Sequence, residues 1–449
     1  MVRARQDPRR LIRAGLGAAL AAACALRAWL AYARYFDTDE TVHLHASLLV
    51  AHGQTPFRDF FGHHGPLFWA ALAPLVRLPG DPFLNALAGR AVVTAFWAAA
   101  LLLVAARRRG EDELTGPLAA AWCAFFGAFL AKSLEVRPDN LALPLVLGAA
   151  ALLDAGGPRR ELAAGVLLGS AGWCTPKAVF AAAGLLAGHA YRARRGAFVV
   201  AGAALAAVAG VAAFAARGAL RDLWALYVVY NAGFPGARVA WAATLRPSLL
   251  SDPLMWALGA AGLRRWRERP LDAGALVLGL AGLAVSPSAY PQYLLLVAPF
   301  LARSASAELL AWARARRARG VPAAAAVALS CAWPAYAAAR APGNALQRER
   351  YACVGTLPPG ARVWDSWGGD SFARPHASKI WFLPGDAVAY YDASFLSADA
   401  VAALKDPRTL GAIRCESCLS ALPPAVAAEF DADFRPSGCG RLWVRKEAP

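Results

Sequence analysis

Ala91–Arg109 reads AVVTAFWAAALLLVAARRR, an apolar block from Ala91 to Ala106 closed by three arginines. With its flanks the block reaches the roughly 20 apolar residues that a helix needs to cross a bilayer. The arginines mark its cytoplasmic end, because short inner loops carry the excess of Arg and Lys. The same unit recurs along the chain. Leu16–Leu30 and Val199–Ala216 are further apolar blocks, and arginines gather between blocks at Arg159-Arg160, Arg192/Arg194/Arg195, Arg264-Arg265/Arg267/Arg269 and Arg314/Arg316/Arg317/Arg319. Of the 449 residues, 58% are hydrophobic and 17% charged, whereas a soluble protein carries about 25% charged residues. A net charge of +17 would suit nucleic-acid binding, but a nucleic-acid groove interleaves its cations with aromatic and polar residues. Here they punctuate apolar blocks, so no nucleic-acid partner is expected.

Arg3, Arg5, Arg9 and Arg10 place the N-terminus inside, and a first span over about 11–33 exits at Arg34. Ala31-Tyr32-Ala33 resembles a signal-peptidase site; an uncleaved anchor is expected. Residues 84–106 return. Leu114–Asp154 has basic flanks, so it crosses twice, with Glu135-Val136-Arg137-Pro138-Asp139-Asn140 as an outer turn. Residues 161–191 cross twice, broken at Thr175-Pro176-Lys177. Residues 197–217 exit, 248–262 return, 271–305 turn at Ser286–Pro291, and 321–339 exit last. The expected architecture is an all-α polytopic membrane protein of about eleven transmembrane helices, over residues 1–343. The first outer loop, 34–83, holds two helices (about 39–52 and Pro66–Leu78), the second lying in the interface. The aromatic-rich Leu223–Tyr230 suits the same depth.

Residues 344–449 change character. Short β-like runs (Arg362–Trp364, Ala387–Tyr391, Gly440–Val444) alternate with helical ones (Ala398–Leu404, Ala425–Phe430), which predicts a small extracytoplasmic α/β domain. Cys353, Cys415, Cys418 and Cys439 lie here; disulfides suit an oxidising compartment, while Cys415-x-x-Cys418 also fits a thiol pair or a metal half-site. Cys24, Cys123, Cys174 and Cys331 lie in spans and read as packing residues.

The densest polar clusters of the membrane part all fall on the outer side. Phe36–His45 contains Asp39, which either starts a helix or accepts a proton from a hydroxyl at the membrane surface. In Arg58–Leu67, paired histidines His63 and His64 invite a metal, but adjacent side chains of extended chain point to opposite faces; phosphate contact, loop-structuring hydrogen bonds and a solvated loop are the other readings. Glu135–Asp139 fits an Arg–carboxylate pair breaking a helical hairpin, or an anion site. Lys177, between two short spans, either snorkels or meets a lipid phosphate.

Together, Asp39-Glu40 and Pro56-Phe57-Arg58-Asp59-Phe60-Phe61-Gly62-His63-His64-Gly65-Pro66-Leu67 resemble the first outer loop of GT-C membrane glycosyltransferases. The branch is the dolichyl-phosphate-mannose–protein mannosyltransferase-like group, which includes bacterial aminoarabinose and lipopolysaccharide-core sugar transferases. Glu135–Asn140, Thr175-Pro176-Lys177 and Pro291-Gln292-Tyr293-Leu294-Leu295 are similar to later landmarks, so the resemblance spans about 10–340. It implies a polyprenyl-phosphate sugar donor, inversion at the anomeric carbon, and a catalytic acid that falls on Asp39 with Glu40 beside it. Some relatives carry a lysine before the second interfacial helix; here that place holds His64-Gly65-Pro66-Leu67.

The resulting expectation is an inverting glycosyltransferase of the plasma membrane acting on its outer face. Asp39 is the candidate base. Arg137 and Lys177 are candidates to hold the lipid phosphate. Glu40, Asp59 and Asp139 would orient the acceptor or hold the basic residues, and His63, His64 and Tyr293 complete the substrate-binding set. The acceptor would be a glycan, lipid or protein. No metal ligand set or cofactor signature is present, although a divalent cation is compatible. The alternative is a transporter or lipid flippase, which calls for ionisable residues deep in the spans and paired broken-helix repeats; the spans here are mostly Ala, Leu, Val and Gly.

Overall fold

The structure, a computed structural model, describes residues 8–76, 81–108, 110–233, 239–315, 320–365, 369–376, 378–381 and 390–446. Arg3, Arg5, Arg109, Arg316, Arg317 and Arg319, the end of the helix expected to reach Leu78, and residues 387–389 of the strand expected at Ala387–Tyr391 lie outside them.

The chain is predominantly helical: α1 Pro8–Ala33, α2 Thr38–Ala51, α3 Pro66–Val76, α4 Pro82–Ala105, α5 Thr115–Phe125, α6 Gly127–Lys132, α7 Pro138–Ala155, α8 Pro158–Cys174, α9 Ala178–Ala193 and α10 Ala197–Ala215. After the short helical turns of Leu220–Leu223 (α11), a π-helical stretch Trp224–Val229 and Tyr230–Gly233 (α12) come α13 Trp241–Ser251, α14 Pro253–Gly262, α15 Pro270–Val285, a 3-10 stretch Pro291–Leu296, α16 Ala298–Ala315, α17 Gly320–Ala339 and α18 Ala345–Gly355. Proline sets several of the starts. It stands at the first position of α3, α4, α7, α8, α14 and α15, where its missing N–H costs nothing and its fixed φ suits a helix.

Among the described residues, four helices are long and apolar enough to cross a membrane: Ile12–Ala33, Pro82–Ala105, Pro138–Ala155 and Ala197–Ala215. This is a membrane protein. α10 shows why: Phe198, Val200, Leu205, Val208 and Val211 are all exposed, a face that only lipid would cover at low cost. Packing uses small residues. Gly184 of α9 and Gly274 of α15 face each other so closely that a Cβ on either would sit 2.2 Å from the other's carbonyl oxygen, the close backbone approach by which helices associate in lipid.

Two expected spans are interrupted. The segment after Leu114 breaks at Phe126, whose extended backbone (φ −61°, ψ 124°) separates α5 from α6. The segment around 248–262 breaks at Asp252 (φ −147°, ψ 67°), because Pro253 disfavours helical geometry at the residue before it. The Asp252 carboxylate then caps α14 through the Met255 amide (3.0 Å) and accepts from Trp122 Nε1 of α5 (2.9 Å). The expectation of mostly apolar spans also needs correction: Arg27, Arg90 and Arg303 are fully buried within helices. Each is held by several partners: Arg27 by Thr94 and Ser133, Arg90 by Glu40, and Arg303 by Glu111 and the Val104 carbonyl, as burying such a charge demands.

The tail forms a four-stranded sheet in the order β1-β2-β4-β3, from β1 Arg362–Asp365, β2 Thr409–Ile413, β3 Phe434–Pro436 and β4 Leu442–Arg445. β1 and β2 are parallel; the other pairs are antiparallel. Helices Ala393–Lys405 and Pro424–Asp433 pack on it through Leu404, Val426 and Phe430. β2 was not expected from the sequence. A disulfide joins Cys353 of α18 to Cys439, and Cys415 is disulfide-bonded too; the Cys418 side chain lies outside the described set. The tail is stitched to the first loop. Gln347 brackets the Phe36 peptide unit, accepting from its N–H (2.7 Å) and donating to its carbonyl (2.8 Å).

Candidate functional site

The site begins at the entry to α2. Asp37, not Asp39, is the N-cap: its side chain accepts from the Asp39 amide (3.0 Å), and Glu40 Oε1 accepts from the Asp37 amide (2.9 Å). This reciprocal cap is written in the spacing Asp37-x-x-Glu40, so the sequence held the signal. The cap sends adjacent carboxylates to different places. Glu40 turns inward, fully buried, and takes two hydrogen bonds from Arg90 of α4 (2.9 and 2.7 Å) and one from the Val136 amide (3.1 Å). Arg90 also donates to the carbonyls of Ala31, Arg34 and Tyr35 (3.0, 2.8 and 2.7 Å). This knot fixes α2, α4 and the 133–137 loop relative to one another.

Asp39, one residue earlier, turns outward. Its side chain is 38% exposed and lies 2.5 Å from Arg137 Nη1. Arg137 also donates from Nη2 to Asp37 (2.9 Å) and from Nε to Glu135. Lys132 donates to Glu135 (2.9 Å) and faces Asp37 at 3.6 Å, and Arg34 approaches Glu135 at 3.5 Å. Burial works to raise the Asp39 carboxyl, but the charges of Arg137 and Lys132 and the Arg137 hydrogen bond outweigh it and hold it below the ordinary carboxylate value. Asp39 is therefore ionised at neutral pH.

A second cation enters from the break between α8 and α9. Lys177 Nζ lies 2.8 Å from the buried Asp139 carboxylate and 4.1 Å from the centre of the Tyr293 ring. Asp139 sits in the first turn of α7, two residues after Arg137, so one helix start organises both cations.

The histidines form the third part. The rings of His63 and His64 are 4.2 Å apart, and His43 of α2 lies 4.8 Å from His64. The sequence expectation that His63 and His64 point to opposite faces is thus corrected; the loop bends and both line one cavity. Trp69 Nε1 donates to His43 Nδ1 (3.0 Å), which leaves the His43 proton on Nε2. Burial, reinforced by neighbouring charges, pushes His43 and His64 well below the usual imidazole value, so both are neutral. Among the described residues, no three His, Cys, Asp or Glu converge as an ion's ligand set.

A cavity of about 1120 Å³ opens among these groups. Asp39, His63, His64, Arg137, Lys177 and Tyr293 line it; Glu40, Asp59 and Asp139 do not. Asp59 instead pairs with Arg58 (2.8 Å) and accepts from the Thr55 amide (2.7 Å), structuring its own loop. The lining also includes aliphatic residues, of which Val179, Val228 and Val285 are 58%, 39% and 68% exposed on the surface.

No protein-family profile matches the chain, and no curated protein does. Solved structures do. The chain is similar to ArnT from Cupriavidus metallidurans bound to undecaprenyl phosphate, with a TM-score of 0.66 and 13% identity over 96% of this chain and 98% of that one. It is also similar to the oligosaccharyltransferase from Archaeoglobus fulgidus tethered with an acceptor peptide (TM-score 0.51, 12% identity, 96% and 74% covered). The fold is that of the GT-C glycosyltransferases. At these identities the likeness concerns the path of the chain alone.

Within that fold, sequence reasoning left out several contributors, among them His43, which lines the cavity and accepts from Trp69. Asp37 and Lys132 line the cavity beside Asp39 and Arg137; the run Lys132-x-x-Glu135-x-Arg137 was the available signal. Arg90 has no local signal, since its partner Glu40 is 50 residues away. Trp381 reaches the cavity from the tail, with its Nε1 donating to the Phe61 carbonyl (3.3 Å).

Proposed function

We propose that this protein is an inverting glycosyltransferase that moves a sugar from a polyprenyl-phosphate donor to an acceptor hydroxyl, within the mannosyltransferase-like, lipid-linked sugar-transferase branch of the fold. The reading rests on one observation: Asp39, Arg137 and Lys177 line a single cavity whose lining also includes exposed aliphatic side chains. A phosphate at the cations with its polyprenyl tail along the aliphatic side chains matches both chemistries. Undecaprenyl phosphate, the lipid bound to the ArnT neighbour, belongs to the same class of ligand.

In the proposed reaction the Asp39 carboxylate takes the proton of the acceptor hydroxyl as its oxygen bonds to the anomeric carbon. The bond from that carbon to the phosphate oxygen breaks on the opposite face, and its electron pair leaves with the lipid phosphate. The departing monoester gains negative charge, which Arg137 meets with directional hydrogen bonds and Lys177 as a compact charge. Asp139 holds Lys177 in place, Glu40 holds the scaffold through Arg90, and Asp59 shapes the loop that carries His63 and His64. His63, His64 and Tyr293 are the proposed substrate contacts. We read the chain as crossing a plasma membrane about eleven times, with a cytoplasmic N-terminus, and the tail from residue 344 as an extracytoplasmic domain.

The decisive experiment is sugar transfer from a purified polyprenyl-phosphate donor by Asp39→Asn. Shape is kept and the base is lost, so turnover falls by about 10²–10⁴-fold while insertion and unfolding temperature stay unchanged. Near-wild-type turnover would remove Asp39 from the reaction.

A further inference from the structure

Every nitrogen of the Arg137 guanidinium already carries a carboxylate: Glu135 on Nε, Asp37 on Nη2 at 2.9 Å and Asp39 on Nη1 at 2.5 Å. Three of its five N–H donors are thus engaged, and a two-pronged phosphate that approaches through any of these edges competes with the carboxylate already there. The three are held unequally. Glu135 is buried and also binds Lys132 (2.9 Å) and Arg34 (3.5 Å). Asp37 caps α2 and faces Lys132. Among the described residues, the Asp39 carboxylate has Arg137 as its one ion-pair partner, and it is the most exposed of the three.

We propose that the donor's phosphate takes Arg137 over from Asp39, so that the carboxylate becomes a free proton acceptor only once the donor is seated. This rests on the function proposed above and adds its regulation: the base is gated by the first substrate. An acceptor that enters first meets a carboxylate already paired to a cation, whose basicity is spent. After the exchange the guanidinium's charge is shared with the phosphate, Asp39 loses its hydrogen bond, and its proton affinity rises as the acceptor arrives. Binding is therefore ordered, donor before acceptor. The same exchange sets a tension in the site: the residue that serves chemistry competes against donor binding.

That tension supplies the test. Undecaprenyl phosphate, carrying no sugar, is titrated into the full-length protein in lipid nanodiscs. Asp39→Asn removes the competing charge, so it binds the lipid about tenfold more tightly than wild type, and Asp39→Ala shifts in the same direction. Unchanged or weaker binding in both folded variants overturns the gate. A second readout uses wild-type protein alone. The acid limb of kcat, set by the donor-bound enzyme, lies at higher pH than the acid limb of kcat/KM for the donor, set by the free enzyme; coincident limbs overturn the proposal. Loss of transfer in Asp39→Asn with unaltered lipid-phosphate binding removes the gate and leaves the transferase reading intact. The predicted ranking of lipid affinities in a protein that never transfers sugar removes the transferase reading instead.

Discussion

Two networks of arginines and carboxylates lie toward opposite ends of α4, and they are built differently. Near the C-terminal end, Arg303 of α16 is fully buried and bonds Glu111, with Asp272 at 3.5 Å, while Arg108 bonds Asp272 as well. Arg303 Nη1 also donates to the Val104 carbonyl. Near the other end, Arg137 is as heavily paired, yet two of its carboxylates, Asp37 and Asp39, stay 35% and 38% exposed toward a cavity. Both networks satisfy the cost of burying charge. The closed one has nothing left to exchange, so it ties helices together. The open one keeps a replaceable partner, so it can do chemistry.

The sharpest way to break that comparison is Arg303→Met. It strands Glu111 in the interior and leaves Asp272 to Arg108 alone, so the protein loses about 3–5 kcal/mol of stability, read as a lower unfolding temperature. Turnover per folded molecule stays at the wild-type level. A comparable loss of turnover at unchanged stability would show that the closed network is functional after all.

Lys177→Ala separates the two roles within the open network. Donor binding weakens about tenfold, and stability falls because Asp139 is left buried without its cation. Lys177→Ala combined with Asp139→Asn restores the unfolding temperature but not donor affinity, measured by titration with undecaprenyl phosphate. Recovery of both would reduce Lys177 to a structural residue.

A pH effect distinguishes the tail's docking from the site. Burial pushes His45 down to about 4, and burial together with His45 pushes His376 to about 3; the two rings face each other across the seam at 5.8 Å. Both groups bind a proton less readily when folded than when unfolded. The stability they contribute is present above the ordinary histidine value of 6.5 and is lost as pH falls from there toward 4. Protease nicking of the 369–376 segment should therefore rise over that window in wild type and less in His45→Phe. The smallest effect belongs to Asp59→Asn: its pair with Arg58 is exposed and screened, so transfer rate and donor affinity are expected to stay within error.

Much of the fold could be read because membrane segments announce themselves locally. The breaks at Thr175-Pro176-Lys177 and before Pro138 fall where the sequence placed them, since proline acts on its own residue and its neighbour. The break at Phe126 was missed because no proline marks it. The Asp37 cap was missed although its spacing was visible, since Asp39 satisfied the same propensity two residues later. β2 was missed because Thr409–Ile413 is a five-residue run whose strand character comes from pairing with β1 and β4.

By itself the sequence determined the membrane character and most helix boundaries, because hydropathy, proline and arginine placement act over a few residues. Tertiary structure alone decided which of two adjacent carboxylates became scaffold and which faced the cavity. Glu40 found Arg90 and Asp39 found Arg137, partners 50 and nearly a hundred residues away. Such a choice depends on where helices far apart in the chain meet, and no local pattern encodes that.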